Sequence, residues 1–183
     1  MEDKLARDVM LPLQEYATVR SGHTILEALV ALDRAQLGLT YDRHHHRAVL
    51  VLGEDGEVVG KLTHWAILRS LDPSLLGKDD LASLSRTGLS EGFIDSLRRR
   101  VSTYRGGLGR MCRAAARIRV EDAMVPMRES IDEAAPLIEA IELMVLGHMQ
   151  SLLVTAAGKV TGILRLSDVF EEIADLIRTS EGA

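Results

Sequence analysis

Apolar and polar residues alternate along this chain in two similar stretches. Ile25, Ala28, Leu29 and Leu32 recur three or four residues apart, which predicts an amphipathic helix with one buried side. Thr24 and Glu27 have the spacing of a capping box at its start. The continuous aliphatic run Ala48 to Leu52 then predicts a buried strand, Glu54-Asp55-Gly56-Glu57 a turn that needs glycine, and Val58 to Leu62 a returning strand. Further on, Leu137, Ala140, Ile141, Met144 and Val145 mark a second helix, with Pro136 suited to its first turn. Ser151 to Thr155, Gly158 and Val160 to Leu164 repeat the strand, turn and strand. A closing helix follows each hairpin, clearest where Val169, Phe170, Ile173, Leu176 and Ile177 share one face.

The two stretches are copies of each other. Arg7 to Pro12 answers Glu121 to Pro126 at an offset of 114, Leu26 to Leu29 answers Ile138 to Ile141 at 112, and Gly56 to Leu62 answers Gly158 to Leu164 at 102. The order is preserved and only loop lengths drift. A unit of about 60 residues is marginal alone, so the two are expected to pack as one folding unit. The expectation is a mixed α/β (α+β) fold of two β-α-β-β-α repeats with pseudo-two-fold symmetry, residues 1–71 and 118–183. The intervening 72–117 is read as a helical insert, in which Phe93, Ile94, Leu97, Val101 and Tyr104 form a stripe. Gly106-Gly107-Leu108-Gly109 interrupts it ahead of a short helix with Met111, Cys112 and Ala115.

Composition narrows the classes. With 46% hydrophobic and 27% charged residues the chain can close a core, and no apolar run is long enough to span a bilayer. Two acids among the first four residues argue against a secretory signal, and the single Cys112 argues for a reducing cytoplasm without cysteine-held metal. The net charge of −5 hides eight arginines and no acid in residues 96–120, against −13 for the remainder. Such a block most simply solvates a helix face or pairs with acids elsewhere, and as a second reading it reaches a cleft and contacts ligand phosphates. With six aromatic residues in the chain, nucleic acid is the least favoured partner.

The doubled Asp-Val-Met-x-Pro and Asp-Ala-Met-x-Pro elements, each followed by a helix, an aliphatic hairpin and a short helix, resemble the cystathionine-β-synthase domain, or CBS domain. The resemblance implies a tandem pair, usually a homodimer, acting as a non-catalytic sensor of AMP, ADP, ATP or S-adenosylmethionine in clefts between the copies. It implies no required cofactor, an adenine nucleotide with or without magnesium as the regulatory ligand, and a separate downstream protein. The family's ligand motif runs Gly, two apolar residues, Thr or Ser, two residues, Asp. A carboxylate can accept both ribose hydroxyls, and a hydroxyl suits phosphate. The first copy, Gly60 to Ala66, keeps the hydroxyl of Thr63, followed by His64, but has alanine in place of the acid. The second, Gly162 to Asp168, keeps the acid but has Arg165 in place of the hydroxyl.

Carried onto this chain, the resemblance makes Asp168 the ribose ligand, Arg165 or Ser167 the phosphate contact, and Met124, Val125 and Pro126 the adenine lining. Thr63, His64, Met10, Leu11 and Pro12 are the corresponding first-copy candidates. Alternatives remain open: Arg165 can fill the cleft with its own charge, Asp168 with Glu171 can cap a helix, and Thr63 can cap the helix from His64. If both clefts are degenerate, the chain is a dimerising scaffold. His44-His45-His46 reads as a solvated loop, because adjacent residues diverge where a metal needs convergent ligands. No nucleophile elbow, phosphate-binding loop or His-Glu-x-x-His helix is present, so catalysis is not expected.

Overall fold

The computed structural model describes residues 4–37, 46–71, 107–127 and 129–180. The first half runs α1 (Ala6–Val9), β1 (Leu11–Pro12), a 3-10 turn (Leu13–Glu15), β2 (Thr18–Arg20), α2 (Ile25–Leu37), β3 (Ala48–Leu52), β4 (Val58–Thr63) and α3 (His64–Ser70). After α4 (Gly107–Ala115), the second half runs α5 (Val120–Ala123), β5 (Val125–Pro126), β6 (Ser130–Asp132), α6 (Leu137–Gly147), β7 (Ser151–Ala156), β8 (Lys159–Arg165) and α7 (Leu166–Ser180). The class is mixed α+β. The Phe93 to Tyr104 stripe, and with it most of the expected insert, lies outside the described residues, as do His44 and His45. Where the glycine cluster was expected to interrupt the chain, helix α4 already begins at Gly107, whose φ of +69° glycine adopts without strain.

Two four-stranded sheets form, in the orders β1-β8-β7-β6 and β2-β3-β4-β5. Each sheet takes one edge strand from the opposite half of the sequence. Leu11 pairs with Ile163 and Pro12 with Gly162, while Pro126 pairs with Gly60 and Val125 with Lys61. The segments ahead of these strands cross over too. Ala6 N–H donates to Ala135 O at 2.9 Å and Leu137 N–H to Lys4 O at 2.8 Å; symmetrically, Val120 N–H donates to His23 O and Ile25 N–H to Ile118 O, both at 2.9 Å. The first amides of α6 and α2, which have no partner within their own helices, are thereby satisfied by the other half. Lys4 Nζ lies 2.5 Å from a Glu172 carboxylate oxygen and adds a tie from the N-terminus to α7.

The hydrophobic interior follows this exchange. One cluster packs Ile25, Ala28, Val49 and Val51 against Val120 and Ala123, and a second packs Leu137, Ala140, Leu152 and Val154 against Ala6. A third, of Leu11, Tyr16, Leu50, Met127, Leu153 and Ile163, lies between the sheets. Each fully buried Leu or Ile contributes about 1.5–3 kcal/mol relative to exposure. The buried stripes are narrower than the apolar periodicity suggests: Leu29 reaches the surface, and Val145 of α6 is 62% exposed. Both sheets end in a three-residue strand, β2 or β6, which offers a helix only a narrow strip of cover.

Local chemistry explains the element boundaries. Thr24 N–H donates to Glu27 Oε2 at 2.7 Å and Glu27 N–H to Thr24 Oγ1 at 3.3 Å, closing the capping box. Pro136 precedes α6, with ψ of 139°, one residue outside the helical turn expected for it. Each hairpin carries an irregularity beside the incoming edge strand, after Val51 in one sheet and Val154 in the other. At those places Gly60 and Gly162 face the crossing segment: a methyl group on Gly162 would stand 2.6 Å from Leu11 O, and one on Gly60 2.6 Å from Met124 Sδ. Gly162→Ala is therefore expected to cost roughly 1–3 kcal/mol, read as a lower urea midpoint at unchanged slope. The β7–β8 turn has Ala157 at φ +49° ahead of Gly158 at +77°, a pairing better suited to Asn-Gly. Ala157→Asn should raise the same midpoint, by about 0.5–1 kcal/mol.

Candidate functional site

Strand β4 runs into α3 at Thr63 and His64, and β8 runs into α7 at Arg165 and Leu166, so the two copies of the motif present their strand-to-helix junctions side by side. Between them lies a cavity of about 530 Å³. The first half lines it with Arg47, Lys61, Thr63, His64 and Trp65, and the second with Ser151, Arg165, Ser167 and Phe170; Tyr16 and Gln150 complete its polar wall. The volume falls within the range of about 300–1,000 Å³ usual for small-molecule sites. Trp65 and Phe170 are 64% and 68% exposed although they line it, which places two aromatic surfaces between the cavity and solvent.

The polar groups hold each other firmly. Arg165 Nε and Nη2 donate to Asp168 Oδ2 and Oδ1, each at 2.6 Å, in a largely buried fork-to-fork pair. Asp168 is thus beside the cavity rather than on its described wall. Lys61 Nζ donates to Ser151 Oγ at 3.0 Å across the two halves, and burial lowers the pKa of this ammonium, with Glu129 opposing the shift. Tyr16 packs edge-on to His46 with ring centroids 4.5 Å apart. Its phenol is pushed up to about 12, chiefly by burial; Arg165 pulls it down and Asp168 raises it. Thr63 Oγ1 accepts from Ala66 N–H at 3.1 Å and so caps α3 while facing the cavity.

Of the residues named from sequence, Thr63, His64, Arg165 and Ser167 come together on the cavity wall. Met10, Leu11 and Pro12 lie elsewhere, at the β8 edge that leads to Arg165 and Asp168, whereas Met124, Val125 and Pro126 lie along β4. The structure therefore sets the first-copy Met-x-Pro segment, and not the second, beside β8, the strand that leads to Asp168. The histidine run is not a solvated loop at His46, which is fully buried against Tyr16 just ahead of the core strand β3, the structural place that its alignment with His148 suggests. Among the described arginines of the basic block, Arg119 donates to Gly22 O, and Glu121 accepts from Gly22 N–H at 2.9 Å, clasping the β2–α2 loop to the other half. That amide lowers the Glu121 pKa.

A family model for the CBS domain matches residues 6–73 and again residues 120–175. The chain belongs to the CBS-domain family. Comparison of this CBS pair with curated protein sequences finds no match. Solved structures share its fold. That of CBSX2 in complex with AMP is 19% identical with a TM-score of 0.58, covering 93% of this chain and 97% of that one. An uncharacterized conserved protein from Pyrococcus horikoshii is also 19% identical at 0.58, covering 94% of each chain. The cytosolic domain of the Mg2+ channel MgtE in complex with ATP is 22% identical at 0.57, covering 93% of this chain and 49% of that one.

Reading the motif alone missed Arg47, Lys61 and Trp65 in this CBS pair. Lys61 and Trp65 sit inside the stretch Gly60 to Ala66, Lys61 where the family motif has an apolar residue and Trp65 where the motif leaves the residue unspecified. Two measurements probe the polar centre. Asp168→Asn should cost roughly 1–3 kcal/mol, since it removes the charge facing Arg165, and adding Arg165→Met should restore part of that loss. Because the Tyr16 pKa is raised in the folded state, its contribution to stability is complete below about pH 10 and is lost as pH rises toward about 12. Tyr16→Phe should flatten the stability profile across that window, by up to about 1.4 kcal/mol per pH unit.

Proposed function

We propose that this CBS pair is a non-catalytic regulatory module that takes an adenine nucleotide in the cavity between its halves. The observation that carries the reading is the cavity itself, where the strand-to-helix junctions of both motif copies meet and whose lining combines cationic and hydroxyl groups with two exposed aromatic rings. Trp65 and Phe170 offer faces on which adenine can stack. Ser167, Thr63 and His64 offer polar groups to phosphate, and Arg165 turns to it from Asp168, whose carboxylate then accepts the ribose hydroxyls. Met10 to Pro12 and Met124 to Pro126 back this site as the strands behind its motifs. That CBSX2 is described in complex with AMP and the MgtE cytosolic domain in complex with ATP supports the choice of ligand class.

Signalling follows if the nucleotide prefers one position of the residue 72–117 segment over another, because a ligand shifts an equilibrium only by its differential affinity. The pair acts in the cytoplasm as a homodimer on a downstream protein. Exposed Leu26 and Val30 on α2 and Ile138, Val145 and Leu146 on α6 supply an apolar surface for a second copy. The ligand-free scaffold is the second reading, and the Arg165–Asp168 pair favours it, because each group there already satisfies the other.

Thermal denaturation with AMP, ADP, ATP and S-adenosylmethionine separates the two. A nucleotide at a hundred times its dissociation constant should raise the midpoint by roughly 5–10 °C, and Asp168→Ala should shrink that rise. A panel without any response would establish the scaffold.

A further inference from the structure

The cavity wall carries three basic side chains, Arg47, Lys61 and Arg165, together with His64, and no carboxylate among its described residues. Two of these cations come from opposite halves: Lys61 Nζ reaches across to Ser151 Oγ at 3.0 Å, while the Arg165 guanidinium is held by Asp168. Ser151 is the cross-strand partner of Arg165, and both line the same cavity as Lys61. Two carboxylates temper that field from outside the described wall. Asp168 pairs with Arg165, and Glu129 acts on Lys61. Arg47 gains no such partner from the salt bridges of the described residues. Water is partly excluded around Lys61 and Arg165, which strengthens both charges, whereas Arg47 is exposed.

We infer that the cavity selects its ligand by phosphate count, taking a nucleoside di- or triphosphate in preference to a monophosphate and rejecting the cationic S-adenosyl compounds. The inference rests on the nucleotide reading above and sharpens it. A chain of two or three phosphates spans Arg165 on one sheet and Lys61 with Arg47 on the other, so each added phosphate meets a further charge-assisted donor. A single phosphate reaches one side only and must still draw Arg165 from Asp168. A sulfonium ligand brings a positive charge to the same wall and offers none of these groups an acceptor.

Isothermal titration of the full-length protein with AMP, ADP, ATP, S-adenosylmethionine and inorganic tripolyphosphate tests this at two salt concentrations. Affinity should rise about tenfold per added phosphate, fall with salt for ATP more than for AMP, and be absent for S-adenosylmethionine. Tripolyphosphate should compete with ATP. Lys61→Met and Arg47→Met should each weaken ATP about tenfold while leaving AMP nearly unchanged; midpoints measured without ligand identify any variant that fails to fold, and the ligand series on the wild type stands without them. Equal affinity for AMP, ADP and ATP without competition by tripolyphosphate overturns phosphate counting and leaves the nucleotide reading intact. Tripolyphosphate binding as tightly as ATP keeps the anion site and removes the adenine from it. Tight S-adenosylmethionine binding, or no binding of any compound, overturns the inference.

Discussion

The exchange of edge strands between the two halves is the constraint on which the rest of the structure depends. Backbone groups at a sheet edge need partners, and here Leu11-Pro12 and Val125-Pro126 supply them to the opposite copy. Proline suits these positions because a two-residue edge strand can spare a donor. The close approach then dictates glycine at positions 60 and 162, where a side chain would meet the crossing segment at less than van der Waals distance. The irregularity next to each glycine increases the local twist and re-aims the strand toward its junction with α3 or α7. Sheet closure and the location of the cavity are thus consequences of one backbone arrangement.

That arrangement also brings charge into a place where apolar packing would otherwise continue. Leu50, Leu153 and Ile163 seal the middle of the interface, and the polar groups begin where β4 and β8 end. A forked arginine–carboxylate pair and a lysine–hydroxyl contact satisfy the groups nearest the core. Pairs of this kind add little net stability over apolar isosteres, because desolvation offsets most of their attraction.

Much of this was legible in the amino-acid order, and the exceptions have physical causes. The repeated helix, hairpin and closing helix are readable because each has a period or a turn residue: Ile25, Ala28 and Leu32 on one face, Gly56 and Gly158 at positive φ. The crossing strands are two residues long and have no period, so nothing in them declares which sheet they join. Phe170 belongs to an apolar stripe by spacing but turns out to flank the cavity, since spacing identifies a face without saying what covers it. His46 belongs to a polar run but is core, the place before the core strand that its alignment with His148 suggests. Lys61 is similarly hidden, a cation within an aliphatic strand whose chemistry depends on Ser151, ninety residues away.

The crossing has a topological corollary. Either half of the sequence, taken alone, would have an unfinished sheet and a helix start without its backbone acceptor, so neither is a self-sufficient folding unit. Conversely, cutting the covalent chain between residues 72 and 106 would leave every described interlock in place. Two fragments divided there and produced together should reassemble into one particle, held by noncovalent complementation.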